Sequence, residues 1–247
     1  IIIKKRMKKL KKSLSQNFIN DKNICRKIIA NSKIKNRDII EIGPGYGNLT
    51  DFIINEKPKN LYLVEKDDEL CKFLNEKYKV NKNIKIFNKD ILNFDLTKFN
   101  NVIIISNLPY NLSSKIILHM FNNYKNISEM IFMIQKEMAY KFDYNMVKLN
   151  KYKFLTKIYC YYKRCFDVPP SVFFPKPKVS STVVKFKFKK KYVNVSKLHI
   201  FVKNIFKNKR KKIYNNLKIK NIKNDEFNNK RVEELNINEI LKIYNFF

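Results

Sequence analysis

The tetrapeptide Asn107-Leu108-Pro109-Tyr110 follows an apolar run, VIII, that reads as a buried strand. At a strand tip, these four residue types can grip a flat heteroaromatic amine. The nitrogen of such an amine is a poor nucleophile, because its lone pair is delocalised into the ring. Two acceptors that take both N–H hydrogens draw it toward tetrahedral geometry and free the lone pair for attack. The Asn107 side-chain oxygen and the Leu108 carbonyl can supply them. Pro109 fixes the turn and lacks an N–H, and Tyr110 offers a ring for stacking. The chemistry that fits is methyl transfer onto the amine. No finely tuned pKa is needed, since the nitrogen's proton turns acidic as the new bond forms; most of the acceleration comes from alignment. An ordinary Asn-Pro turn is the plainer account of the same letters, and the company these residues keep decides against it.

All three glycines of the chain, Gly43, Gly45 and Gly47, fall in EIGPGYGNLT. A sequence emptied of glycine elsewhere keeps it at positive φ or where backbone presses on a ligand. The cluster lies between a predicted strand, DIIEI, and a helix predicted from Asn48, an arrangement that cradles a nucleotide-like molecule. Glu65 ends the next predicted strand, NLYLVE, 18 residues after Gly47, placed to accept from ribose hydroxyls. Asp90, closing IFNKD, can accept from a purine's exocyclic amine, with Ile91 against the purine face. No Lys and Ser/Thr follow the third glycine, which excludes a P-loop. GxGxG in place of GxGxxG weighs against a dinucleotide fold.

The elements that must position these residues are legible in the periodicity. Helices are predicted from Asp21, with Ile24, Ile28 and Ile29 on one side, and from Asp67 as N-cap, with Leu70, Phe73, Leu74 and Tyr78 as a stripe. Another is predicted after Ser113 as cap, with Ile116, Ile117, Met120 and Phe121 facing inward. Strands DIIEI, NLYLVE, IKIF, VIII and MIFMI alternate with helices and are apolar on both faces, which implies an α/β fold with a covered parallel sheet. Tyr159–Phe166 and Thr182–Phe188 suit strands near the sheet's edge, separated by a loop that Pro169, Pro170, Pro175 and Pro177 make rigid. After Lys190 the strand pattern yields to Lys-rich helical stretches such as LHIFVKNIF and EILKIYNFF. Three segments are expected: a basic arm over 1–13, an α/β domain over 14–190 and a helical domain over 191–247.

In 247 residues, 45% hydrophobic content with 20 Phe and 14 Tyr supports a core and excludes wholesale disorder. No apolar run approaches the roughly 18–20 residues that span a bilayer, so no membrane partner is expected. Cys25, Cys71, Cys160 and Cys165 are too scattered for a disulfide framework and lack metal-ligand spacing. With His119 and His199 as the two histidines, both read as packing or surface residues, no metal site is expected. Lys+Arg 53 against Asp+Glu 21 gives +32, which points to a polyanion. The 47 Lys against 6 Arg suit AT-rich coding, which inflates Lys without selection for binding. Distribution separates the two accounts: Asp38 to Asp95 holds 11 acids and 9 bases, whereas Val168 to Asn224 holds 17 bases and no acid. A polyanion-binding face is therefore expected on the C-terminal side. The first twelve residues carry seven bases and read as a phosphate-binding arm, being short of Ser and Arg for a targeting segment.

SQNFIND, EIGPGYGNLT, LVEKD, NKD, NLPYN and VPPSVFFPKPKVSSTVV occur in the order found in KsgA-type small-subunit rRNA adenine N6,N6-dimethyltransferases. The chain resembles that family from about Leu14 to Leu241, through FKNKRKKIYNNL and KRVEELNINEIL. The resemblance implies a class I S-adenosylmethionine-dependent methyltransferase fold, Rossmann-like with a mostly parallel seven-stranded sheet, and a small, mostly helical C-terminal domain. It implies S-adenosylmethionine as cofactor and dimethylation of two adjacent adenosines in the 3′-terminal hairpin of small-subunit rRNA during ribosome assembly. Asn17 and Ile19 would close over the cofactor, Gly43 line its methionine end, Gly45 also contact it, Glu65 hold the ribose, and Asp90 with Ile91 the adenine. Asn107 would serve cofactor and target amine. Phe173 matches the aromatic that sandwiches the base against Tyr110; the base must be flipped, since N6 inside a stacked helix cannot meet the methyl group. RNA docking is expected of Lys207, Lys209, Arg210, Lys211 and Lys212.

The resemblance further implies a monomer acting on a 30S assembly intermediate in the cytoplasm, or in an organelle if the basic N-terminus is a targeting remnant. Ser15 stands where the family commonly has Gly. After QKE, the stretch KFDYNMVKLNKYKFLTKI lacks the Gly and Arg usual there, which bears on how RNA is positioned. Two alternatives stand beside this reading. Large-subunit rRNA dimethyltransferases of the macrolide-resistance type usually carry Ile where Leu108 stands and match the C-terminal motifs less far. A non-catalytic assembly or transcription factor on the same fold is disfavoured by intact Gly43, Glu65, Asp90, Asn107 and Tyr110.

Overall fold

The computed structural model of the protein describes residues 17–208, 210–217, 227 and 229–247; the basic arm over 1–13 and Lys209 lie outside the described residues. Strands β1 (Phe18–Ile19), β2 (Asp38–Ile42), β3 (Asn60–Glu65), β4 (Ile84–Asn88), β5 (Val102–Asn107), β6 (Ile127–Gln135), β7 (Cys160–Val168), β8 (Phe173–Phe174) and β9 (Ser181–Phe188) follow in chain order. All but β1 and β8 join one seven-stranded sheet in the order β4-β3-β2-β5-β6-β9-β7. β4, β3, β2, β5 and β6 run parallel, and β9 lies antiparallel to β6. Ile39, Ile40 and Val102 to Ile105 are all buried, which is why these strands read as apolar runs without alternation.

Helix α1 (Lys22–Ile29) is capped by Asp21, whose Oδ1 accepts from the backbone N–H of Asn23 at 2.7 Å and Ile24 at 3.1 Å. Helix α2 (Thr50–Asn55) follows the glycine bend, and α3 (Asp68–Tyr78) is capped by Asp67 as its sequence predicts. Helix α4 (Ser113–Asn122) departs from expectation at its start: Leu112, not Ser113, is the N-cap. Ser113 already lies in the first turn, where its hydroxyl donates to the Pro109 carbonyl at 2.9 Å and ties the helix to the turn before it.

The chain forms two compact units. The first runs to Ala139 and resumes over Arg164–Lys187; the second comprises Tyr140–Lys163 and continues from Phe188. This differs from the division at Lys190, because α6 (Lys151–Tyr159) belongs to the second unit. The physical reason is aromatic: Phe154 of α6 packs with Phe201 of α7 (Val195–Ile205) and Tyr244 of α9 (Ile237–Phe246), at centroid distances of 5.4 and 5.8 Å. Helix α5 (Lys136–Phe142) precedes α6 in the chain, and the short α8 (Ile213–Leu217) lies between α7 and α9.

Beneath the glycine bend, Glu41 of β2 is 2% exposed, and its Oε2 accepts from the Thr50 hydroxyl at 2.6 Å. Burial pushes its pKa up to about 8, against the stabilising Thr50 bond. A carboxyl whose folded pKa is raised adds stability in full below its unfolded value and loses it as pH rises through the folded value. Stability is therefore expected to decline between about pH 5 and pH 9, and Glu41→Gln to flatten that decline. Parallel melting curves for the two proteins across this range would contradict the assignment.

Candidate active site

The order of the sheet reverses between β2 and β5: β3 and β4 extend it one way, β6 the other. Such a switch point opens a crevice at the carboxyl ends of the strands. Here the glycine bend after β2 and the Asn-Leu-Pro-Tyr turn after β5 end up side by side. Register fixes the spacing, with Ile39, Ile40 and Glu41 opposite Ile103, Ile104 and Ile105, and the Ser106 hydroxyl donating to the Ile42 carbonyl at 2.6 Å. A cavity open to solvent lies there, at the place where such sheets bind small-molecule cofactors. Asn17, Gly43, Gly45, Glu65, Asp90, Ile91, Asn107, Leu108, Pro109 and Tyr110, each named from sequence, line this one space.

The glycines there take φ of +62° at Gly43 and +60° at Gly45. A Cβ on Gly43 would meet nothing within 4 Å, so the room it leaves is cavity. A Cβ on Gly45 would come 2.5 Å from Cε1 of Phe18, a lining residue that itself packs on Tyr46 at 5.0 Å. Glu65 is buried at the end of β3. Its oxygens accept from the backbone N–H of Lys66 at 2.8 Å, Asp67 at 3.0 Å and Gly45 at 3.3 Å. Burial raises its pKa, and these N–H groups oppose the shift. A lone pair on Oε2 remains for a hydroxyl donor.

Asp90 caps a single 3-10 turn, Ile91–Asn93, through Leu92 N–H at 3.0 Å, and Lys66 Nζ lies 3.0 Å from its other oxygen. Burial pushes its pKa up, but these two donors outweigh it and hold the carboxyl below its usual value. It faces the cavity as an anion, ready to accept from an amine.

Asn107 is oriented by its neighbour. Its Nδ2 donates to the Asn17 carbonyl at 2.7 Å, which turns Oδ1 the other way. Among the described residues neither Asn107 Oδ1 nor the Leu108 carbonyl accepts a hydrogen bond. Leu108 N–H is bound to Met133 O at 3.1 Å, and the Pro109 carbonyl takes Leu112 N–H and the Ser113 hydroxyl, so the turn is rigid. The Tyr110 hydroxyl pairs with Ser181 Oγ at 2.7 Å, which pins its ring; burial raises the Tyr110 pKa, Ser181 lowering it in part. The arrangement is two unclaimed acceptors beside a fixed aromatic platform.

Two residues named from sequence stand elsewhere. Ile19 and Phe173 are register partners in the antiparallel pair of β1 with β8, and both point into the hydrophobic core rather than lining the cavity. Phe173 is 4% exposed and its neighbour Phe174 50%. Phe174 pairs with Phe18, so the two share the face on which Phe18 meets the cavity. The same β1–β8 pair carries the Asn17 strap, with the Asn48 amide donating to the Ile19 carbonyl at 2.6 Å. Sequence reasoning missed Phe18, Lys66, Asn48 and Ser181 as parts of the site. All four lie inside or beside motifs it had quoted, but a two-residue strand pair has no periodicity to read. Lys207, Arg210, Lys211 and Lys212 are exposed residues of the second unit.

A family model described as ribosomal RNA adenine dimethylase matches residues 7–247. The chain is 42% identical over 215 residues to the ribosomal RNA small subunit methyltransferase A of Malacoplasma penetrans, covering 84% of this chain and 77% of that one. It is 38% identical over 242 residues to the protein of the same name from a Hydrogenobaculum strain, covering 97% and 94%. Among solved structures, a dimethyladenosine transferase from Plasmodium falciparum superposes with a TM-score of 0.78 at 22% identity, covering 92% of this chain and 95% of that one. A crevice formed at the sheet's switch point, an aligned amide and a match across nearly the whole chain agree: the chain belongs to the ribosomal RNA adenine dimethylase family and has the class I S-adenosylmethionine-dependent methyltransferase fold.

Proposed function

We propose that the protein transfers methyl groups from S-adenosylmethionine to N6 of adenosines in small-subunit ribosomal RNA, two to each of two adjacent adenosines in the 3′-terminal hairpin. The observation that carries this reading is the pair of unclaimed acceptors, Asn107 Oδ1 and Leu108 O, at the wall of a cavity into which Gly43 projects no side chain. The small-subunit target is supported by the names of the relatives and by Leu108 in the tetrapeptide.

The residues present fit the cofactor: Glu65 can hold the ribose, Asp90 and Ile91 the adenine, and the space at Gly43 the methionine end. Bound there, S-adenosylmethionine supplies an electrophilic methyl group. Asn107 Oδ1 and Leu108 O accept the two N6 hydrogens of the flipped base, localising the nitrogen lone pair along the line of attack. Tyr110, fixed by Ser181, stacks on one face of the base. The other face is met by Phe174, which shares its side of the strand pair with Phe18, while Phe173 supports it from the core. Phe173→Ala is therefore expected to cost about 3–5 kcal/mol of stability. Phe174→Ala should melt like the unaltered protein and raise KM for RNA. An unchanged KM would return the stacking role to Phe173.

Docking is assigned to Lys207, Arg210 and Lys211, with Lys212 partly engaged, since its Nζ donates to Asn229 at 3.0 Å. The protein acts as a metal-free monomer on a small-subunit assembly intermediate in the cytoplasm. Among the described residues no group of His, Cys, Asp and Glu could hold a metal ion. No described helix is long and apolar enough to cross a membrane.

The test is labelled methyl transfer to unmethylated small-subunit rRNA, with the product adenosines mapped. Label on two adjacent adenosines of the terminal hairpin is expected, and label on large-subunit rRNA alone would overturn the assignment. Lys207→Glu with Lys211→Glu should weaken RNA binding and lower the salt slope by up to about 1.8, at roughly 0.9 per phosphate contact. An unchanged slope would exclude this cluster as the docking face.

A further inference from the structure

We infer that Tyr161 and the lysines around it form a second RNA platform, one that stacks an unpaired base on the Tyr161 ring and holds the flanking phosphates. The inference rests on RNA being the substrate, and it adds a contact surface distinct from the catalytic cavity and from the Lys207–Lys212 cluster.

Tyr161 lies on β7, the edge strand of the sheet, where Cys160 and Tyr162 are buried and Tyr161 is 63% exposed. Lys189 Nζ sits 5.3 Å from the centroid of its ring and so covers one face, leaving the other to solvent. That lysine is held in place, its N–H donating to the Tyr159 carbonyl at 2.8 Å and its ammonium to the Lys157 carbonyl. Lys157 Nζ in turn lies 4.7 Å from the ring of Tyr144, whose hydroxyl accepts from Tyr162 N–H at 3.4 Å. Two lysine-on-tyrosine stacks thus stand next to each other, fixed by backbone bonds. Exposed Lys190 and Lys191 follow, then Tyr192 at 76% exposure.

Among the described residues no carboxylate balances this charge. Among the described residues Lys157, Lys189, Lys190 and Lys191 form no ion pair. The sequence has no acid from Tyr144 to Lys163 and none from Val168 to Asn224. Burial, then Lys157 and Lys191, hold the Lys189 ammonium below the usual lysine pKa, and no carboxylate appears among the groups acting on it. A merely solvated Lys189 would swing away; instead it is tied beside Lys157 at the cost of repulsion from Lys157 and Lys191, which a polyanion relieves. An acidic peptide would meet the charges but gain little from the open ring face. A single-stranded RNA segment uses both, because every base has a face to stack and every linkage a phosphate.

Binding of the full-length protein to an unmethylated small-subunit rRNA transcript, measured across a salt series, tests the platform. Tyr161→Ala is expected to weaken binding about tenfold, the effect of one lost base stack. Tyr161→Phe should bind like the unaltered protein, because the ring and not the hydroxyl is used. Lys190→Gln with Lys191→Gln should lower the salt slope by about 1.4, at roughly 0.7 per phosphate on a single strand. Melting temperature and S-adenosylmethionine affinity should stay unchanged in all three, since these side chains are exposed. RNA binding by Tyr161→Ala within about twofold of the unaltered protein overturns the platform, as does an equal loss in Tyr161→Phe. Failure of the unaltered protein to methylate this RNA would sink the functional reading alone, since the binding comparison stands without turnover.

Discussion

Replacing Asn107 with Ala is expected to lower the rate of methyl transfer by about two to three orders of magnitude, the usual effect of deleting one preorganised polar partner of a transition state. RNA binding should stay close to that of the unaltered protein, because the amide touches the amine and not the phosphates. The structure adds a smaller second effect. Asn107 Nδ2 holds the Asn17 carbonyl at 2.7 Å, so its loss frees the strap beside the cavity and should weaken cofactor binding a few-fold. Asn107→Asp separates the two roles. It restores an acceptor for the amine but sets a carboxylate oxygen against the Asn17 carbonyl, so cofactor affinity should fall further than in Asn107→Ala. Single-turnover rates with equilibrium binding of cofactor and RNA read these quantities apart. Equal losses in rate and RNA binding would show that Asn107 maintains the fold rather than the alignment.

Gly45→Ala should weaken cofactor binding by tenfold or more. The left-handed backbone costs the new side chain about 1–2 kcal/mol, which falls on folding stability in the free and bound protein alike, so the loss of affinity comes from the displaced cavity wall. Its Cβ would also stand 2.5 Å from the Phe18 ring, which must then swing away from the cavity wall. Gly43→Ala meets no protein atom within 4 Å and acts by another route, filling space the cofactor needs. A second change tells the two apart. Phe18→Ala combined with Gly45→Ala should cost less than the sum of the single changes, because the clash is removed; combined with Gly43→Ala it should be additive. Additivity in both pairs would mean that Phe18 is not what glycine at 45 makes room for.

The parallel sheet was legible because strands buried on both faces leave unbroken apolar runs, as VIII and MIFMI do, and helix starts were legible where Asp21 and Asp67 cap them. Ser113 misled because a serine before an apolar stripe is a cap signal, yet its hydroxyl found a nearer partner in the Pro109 carbonyl. The segment from Tyr140 to Lys163 gave no sign of its allegiance, since Phe154 reads as core wherever it packs.

By itself the sequence determined the chemistry on offer: glycine at 43 and 45, carboxylates at 65 and 90, and an amide followed by Leu-Pro-Tyr, each at a strand end, because backbone and hydrogen-bonding demands there admit few residue types. Only tertiary structure decided that one cavity gathers them, through the register of β2 on β5, and which way the Asn107 amide and each of the paired phenylalanines point. A side chain's direction depends on partners distant in the chain, such as Asn17 for Asn107 and Ile19 for Phe173, and no local pattern of residues encodes those encounters.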